Sequence, residues 1–328
     1  MADVRRYLRQ FLSDPRVIDQ PAWLRWLLVN LVIAPFRAPK SAAAYASIWT
    51  PEGSPLVVHG AALAVGLEAR LGVPVRSGMA LGRPSLDDAL TALGAACRRG
   101  LERLIVVPLF PQYASATTGS VLEAVYSRLA ERQDVPSVEV VPAFWAESAY
   151  LDPLVAGLRE AVARTNADRV ILSFHGLPER QIRKMYPDCL PAADSCGACA
   201  APEPRPYCYR ALCLATAKKL EASIGGQVEV AFQSRLGRDR WLGPATADRL
   251  AALPREGVRR VVLAAPSFVA DCLETLEELG HEGRRIFTEA GGEHLELVPC
   301  HNAGSAWVDG LAGLLSSRLT GTGPPRTG

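Results

Sequence analysis

The sequence has no hydrophobic run long enough to cross a bilayer. Its longest apolar stretch, Trp23 to Ala34, contains Arg25 and stops after twelve residues, whereas a spanning helix needs about twenty. Blocks of like charge are missing too: 36 basic and 34 acidic residues are interspersed, leaving a formal net charge of +2. That balance excludes the one-sided basic footprint of a nucleic-acid-binding protein. The opening segment MADVRRYLRQFLSD reads as an amphipathic helix and lacks the apolar core and cleavage site of a signal peptide. No internal repeat is evident. These absences point to a cytoplasmic protein whose partner is a small molecule.

What is present is ample core material. With 328 residues, 49% of them hydrophobic, the chain has room for about two domains of common size. From Leu71 onward, short β-branched runs alternate with longer helical ones, the pattern of parallel sheets flanked by helices in an α/β protein. Strands are predicted at Val73–Met79, Leu104–Leu109, Val138–Phe144, Arg169–Phe174, Val228–Gln233, Val258–Ala264 and Leu295–Pro299. Helices are predicted at Leu86–Arg98, Gly119–Arg132, Ser148–Arg164, Tyr209–Ser223, Thr246–Ala252, Asp271–Leu279 and Ala303–Leu319. The natural division falls near Thr165, giving doubly wound domains over 1–164 and 165–302, followed by a last helix and a Gly/Pro/Thr-rich tail over 303–328.

Ligands of open α/β sheets bind beyond the carboxyl ends of the strands, and four such ends carry unusual chemistry. They are FPQYASATTGS after Leu109, HGLPER after Phe174, SRLGRDRWLGP after Gln233, and PSFVADCLETLEE after Ala265. His175 ends an apolar run and precedes Gly176 and Pro178, which suits its imidazole either to proton transfer or metal binding at neutral pH or merely to bonding the turn. Asp271, Glu274 and Glu278 are spaced to share one face of a helix. Such a face is either solvated, with acids favoured near the helix start, or a path of oxygen ligands for a cation and the protons it displaces.

Together the segments FPQYASATTGS, HGLPER, FQSRLG, RWLGPAT and FVADCLETLEELG, with EGSPL and RRYLRQFLSDPRVID before them, resemble the signature segments of ferrochelatases, in that order. The likeness covers nearly the whole chain. It implies two Rossmann-like domains with a porphyrin cleft between them and insertion of Fe²⁺ into protoporphyrin IX, giving haem and two protons. By the same implication His175 takes the pyrrole protons and meets the metal, Glu274 is its carboxylate partner, and Glu278 and Asp271 extend the acidic path. Tyr113, Trp241 and Phe268 resemble the wall of the family's porphyrin pocket, with Arg235 placed for a propionate. The stretch Trp23 to Ala34 matches the family's hydrophobic lip, which implies peripheral membrane contact; an ordinary buried helix is the alternative.

Eight cysteines include five between Cys189 and Cys213. Clustered thiols in a reducing compartment favour a metal site over disulfides. The segment 188–209 looks inserted relative to plain bacterial ferrochelatases, some relatives of which hold a [2Fe–2S] cluster on four thiolates. Cys189, Cys196, Cys199 and Cys208 are the expected ligands, Cys213 ranks last, and zinc is the competitor. Cys97, Cys272 and Cys300 read as packed thiols.

Two features depart from the family pattern. The apolar strand and NLGTP-type loop that precede the RRYLRQFLSDP helix in relatives are not in this sequence, so the first strand of domain one is expected to be missing. After Met79 stand Ala80, Leu81 and Gly82, where relatives place an Arg and a Tyr. Two other readings stay open: coproporphyrin III as substrate, and a non-catalytic haem- or cluster-binding protein on the same scaffold.

Overall fold

A computed structural model describes residues 9–10, 12–18, 21–98, 100–189, 199, 201, 203–235 and 239–319. Cys196, the first eight residues of the expected amphipathic helix and the tail from Thr320 lie outside the described residues. The chain forms two compact units, one of residues 1–108 and 114–142, the other of residues 109–113 and 143–328.

The first unit carries α1 (Ala22–Leu27), which continues as a wide turn over Leu28–Ile33, then α2 (Ala34–Ile48), α3 (Pro55–Leu71) and α4 (Leu86–Ala96). Strand β1 (Arg103–Val106) is followed by α5 (Ser120–Ala130) and β2 (Ser137–Val140), and the two strands pair in parallel. Helix α4 begins in a capping box, with Ser85 Oγ accepting from the Asp88 N–H and Asp88 accepting from the Ser85 N–H, so two otherwise orphaned donors are satisfied. Leu90, Leu101, Leu104, Val125 and Leu129 make this unit's core.

The strand predicted at Val73–Met79 does not form among the described residues. The segment pairs only through an isolated bridge from Met79 to Ser85. Pro74 has no N–H to give a ladder, and the Val75 N–H is taken by the Glu68 carboxylate at 2.9 Å. Helix α1 likewise departs from a buried helix: none of its residues is buried, and Trp23 and Trp26 are 66% and 58% exposed.

The second unit holds α6 (Ser148–Thr165), β3 (Arg169–His175), α7 (Glu179–Met185), α8 (Tyr209–Ile224), β4 (Val228–Gln233) and α9 (Thr246–Ala252). It continues with β5 (Arg260–Ala264), a wide helix over Glu274–Gly283, α10 (Arg284–Glu289), β6 (His294–Leu297) and α11 (Ser305–Leu319). The sequence placed the division near Thr165; here α6 belongs with the second unit, where it packs on α11.

All four strands are parallel, in the order β4-β3-β5-β6. Val170, Ile171, Leu172 and Phe174 of β3 are all buried, as a central parallel strand covered on both faces requires. One face packs Ile171, Val261 and Leu263 with Leu250, Leu253 and Phe287. Each such side chain stabilises the fold by about 1.5–3 kcal/mol of removed apolar surface. From β3 the chain moves first to β4 on one side and then to β5 on the other. The order therefore reverses between β3 and β5, and the carboxyl ends of these two strands flank the crevice where doubly wound sheets place their ligands.

Candidate active site

His175 is the last residue of β3, at that reversal. Its Nδ1 lies 2.7 Å from the Gly176 carbonyl oxygen. A carbonyl can only accept, so Nδ1 carries the hydrogen in the neutral ring and the Nε2 lone pair is left as the base.

The close turn after His175 depends on glycine. The Gly176 N–H donates to the Gln233 carbonyl at 2.8 Å, and a Cβ on Gly176 would stand 2.6 Å from that same oxygen. Beyond the turn, Leu177 and Glu179 pair with Leu242 and Arg240 through backbone bonds. Trp241 is thereby laid against Gly176, 3.3 Å from where the Cβ would be.

Across the reversal, the loop 265–273 is pinned from below. The Pro266 carbonyl accepts from Tyr150 Oη at 2.5 Å and from Gln112 Nε2 at 3.4 Å, and burial raises the Tyr150 pKa, keeping it a neutral donor. The next residue but one, Phe268, presents its ring 6.1 Å from the His175 ring.

Glu274 opens the helix that follows. It is a wide helix, Glu274–Gly283, closed by i→i+5 bonds, a geometry that recurs at functional sites. With more than four residues in each turn, residues four apart come nearly into line. Glu274, Glu278 and Glu282 therefore form one acidic stripe. The helix expected over Asp271–Leu279 took in Asp271 and ended short of Glu282.

Asp271 precedes the helix and is buried. Its carboxylate accepts from Asn302 Nδ2 at 2.7 Å, from Thr275 Oγ1 at 3.2 Å and from the Cys300 N–H at 3.2 Å, so it ties the residues before the helix to the 300–302 loop and to the first helical turn. Glu278 accepts from the Ser234 N–H at 2.7 Å and the Ser234 hydroxyl at 2.6 Å. At the surface end, Glu282 is paired with Arg285 at 2.6 Å. The Cys272 thiol is pushed well up in pKa by burial, with the neighbouring Glu274 carboxylate adding to the effect, so it stays protonated.

Gln233, another residue that sequence reasoning passed over, links the two sides. It stands opposite His175 in the β3–β4 register. Its Oε1 accepts from Ser173 Oγ at 3.1 Å, and its Nε2 donates to the Glu274 carbonyl at 2.8 Å. The amide is thus fixed in one orientation, and the helix start is held at the strand that neighbours His175.

Among the other expected wall residues, Tyr113 packs edge-on against Tyr207 at 4.9 Å, and Arg235 is exposed just past β4. Among the described residues, no group of three or more His, Cys, Asp and Glu side chains is gathered to hold a metal ion. His175, Asp271, Glu274 and Glu278 are therefore not one preformed ligand cage.

The cysteine segment joins this unit at the start of α8. Cys208 is the residue before the helix, and its thiol is pulled down to about 6, first by a hydrogen bond from Cys199, against the opposing effect of burial, with the Ala211 N–H and the Arg205 charge helping. A bidentate ion pair from Arg205 to Asp188, at 2.9 and 3.2 Å, draws the chain beside Cys189 toward the loop before Cys208. Cys213, inside α8, is fully buried, and burial raises its pKa well above that of a free thiol.

The ferrochelatase family model matches residues 1–319. The chain belongs to the ferrochelatase family. A ferrochelatase of Pseudomonas putida strain F1 is 45% identical over 320 residues, covering 95% of this chain and 93% of the relative. A Pseudomonas aeruginosa ferrochelatase is 43% identical over 324 residues, covering 97% and 93%. In fold, the chain is similar to Bacillus subtilis SirB, solved with Fe³⁺, at a TM-score of 0.51 and 14% identity, covering 79% of this chain and 88% of that one. That likeness concerns the chelatase-type fold alone; membership of the ferrochelatase family carries the enzyme class, a metal chelatase of haem synthesis.

Proposed function

We propose that this chain inserts Fe²⁺ into protoporphyrin IX, with His175 as the base that takes the pyrrole protons and Glu274 as the carboxylate that receives the metal beside it. The observation that carries this reading is the His175–Gly176 bond, which leaves Nε2 open at the crevice of the sheet.

The chemistry demands such a base. A free porphyrin must lose two N–H protons as the metal enters, and its planar ring hides the nitrogens from an ion in the plane. A general base of pKa near the working pH is worth about 10²–10⁴ in rate. The stripe Glu274, Glu278 and Glu282 would give Fe²⁺ and departing protons oxygen partners on the way to and from this base. Phe268 and Trp241 offer flat apolar surface for the ring, and Arg235, exposed just past β4, would pair with a propionate. The sequence has no surplus of basic pocket residues for the additional propionates of coproporphyrin III.

Trp23, Trp26 and Leu31, close together in the chain, are all exposed, large apolar side chains of the kind that would seat a protein on a lipid surface. No helix among the described residues is long and apolar enough to cross a membrane. Peripheral contact is the reading that fits both facts.

The thiols of the inserted segment fit a [2Fe–2S] cluster. Iron binds thiolates, and a Cys208 pKa of about 6 makes its sulfur largely anionic at neutral pH. Cys189, Cys199 and Cys208, with Cys196, would hold the group, while the protonated Cys213 would stay outside it. Such a cluster would supply a one-electron couple and covalent ties across the segment.

The test is anaerobic loss of porphyrin fluorescence with Fe²⁺, run with protoporphyrin IX and coproporphyrin III in parallel. Faster turnover of protoporphyrin supports the proposal. Faster turnover of coproporphyrin, or of neither, overturns it.

A further inference from the structure

Three groups around the His175 peptide form a closed hydrogen-bonded ring. The Tyr209 hydroxyl donates to the His175 carbonyl at 2.8 Å. That donation uses the phenol's one hydrogen, so in the 2.8 Å contact between Tyr209 Oη and Ser267 Oγ the serine is the donor. The His175 N–H then donates to Ser267 Oγ at 3.3 Å. Every hydrogen in the ring is used once.

Tyr209 and Ser267 are both buried. Removing either hydroxyl would leave a buried partner unmatched, which costs more than the bond contributed. The ring joins three separate elements: the end of β3, the loop after β5 and the first residue of α8. Together these bonds hold both the N–H and the C=O of the peptide groups that flank the His175 side chain.

We infer that Tyr209 and Ser267 are positioning residues for the reaction. They lock the His175 peptide so that Nδ1–H stays on the Gly176 carbonyl and Nε2 faces the crevice. Neither touches substrate. The inference rests on the reading of His175 as the base.

The experiment compares the full-length protein with Tyr209→Phe, Ser267→Ala, the double variant and His175→Ala. It measures kcat and both KM values anaerobically, and it reads the imidazole tautomer by ¹⁵N-histidine NMR above the histidine pKa. Loss of one hydrogen bond predicts kcat about tenfold lower in each single variant, with both KM values little changed. Because both hydroxyls serve one peptide, the double variant falls little further than either single one. The His175 signals move from a single Nδ1–H tautomer to a mixture. Ser267→Ala opens little space and carries the test if Tyr209→Phe yields poorly folded protein.

Wild-type kcat in the folded single variants overturns the inference, as does a lowered kcat with the His175 tautomer unchanged. If His175→Ala is itself as active as wild type, the base assignment fails instead. The two failures are thereby distinguished.

Discussion

The carboxylate of Glu278 is bound to Ser234, taking its backbone N–H at 2.7 Å and its hydroxyl at 2.6 Å. Ser234 is not glycine, yet its φ is +65°, in the left-handed region that side chains disfavour. The charged acceptor holds it there. Glu278 is thus a clamp on the end of β4 as well as a member of the acidic stripe. Glu278→Ala is expected to lower stability by about 1.5–3 kcal/mol, the worth of hydrogen bonds to a charged group, measured by urea unfolding. Glu278→Gln, which keeps an acceptor, loses less. Equal stability of Glu278→Ala and wild type would contradict the clamp.

Gly176 is the tightest point of the site. A Cβ there would come within 2.6 Å of the Gln233 carbonyl, so Gly176→Ala must shift the β3–β4 ends. Overpacking of this kind costs about 1–3 kcal/mol, and it moves the carbonyl that orients His175. Lower thermal stability together with a lower kcat is expected from calorimetry and steady-state rates.

The parallel core of the second unit was legible because its central strands β3 and β5 are buried on both faces and read as nearly unbroken apolar runs. His175 was legible as a lone imidazole at such a strand's end. The bounds of the wide helix, Glu274–Gly283, were not; the expected helix ran from Asp271 to Leu279, so Asp271 was placed on the stripe and Glu282 left off it. Tyr209, Ser267 and Gln233 were illegible for another reason. Their partners lie tens of residues away, and a buried serine or glutamine carries no mark in a single sequence. The strand expected at Val73–Met79 shows the reverse case, a segment whose Pro74 and side-chain-bonded Val75 withhold it from a ladder.

Acid sensitivity should trace in part to His301. Burial pulls its pKa from 6.5 down to about 4, and its ring stacks on Trp307 at 5.1 Å. Above pH 6.5 the ring is neutral folded and unfolded. As pH falls toward 4 only the unfolded chain takes the proton, so stability drops across that window, by about 3 kcal/mol when the shift is converted. Unfolding free energies from pH 8 to 4 should therefore fall less steeply in His301→Gln than in wild type. Parallel curves would contradict this.

The cysteines divide by protonation. Cys208, anionic at neutral pH, and Cys213, buried and protonated, predict opposite outcomes on mutation. Cys208→Ser should lose nearly all bound iron, inorganic sulfide and visible absorption, and Cys213→Ser should keep them. Zinc in place of iron in the anaerobically purified wild type would refute the cluster while leaving the ligand assignment.

The central claim is that His175 Nε2 removes the porphyrin protons. Its most direct test is kcat for Fe²⁺ insertion in His175→Ala beside wild type, with porphyrin binding followed by fluorescence in both. A base worth about 10²–10⁴ in rate predicts a kcat at least a hundredfold lower while the porphyrin still binds. A kcat within a few-fold of wild type, with binding intact, would contradict it.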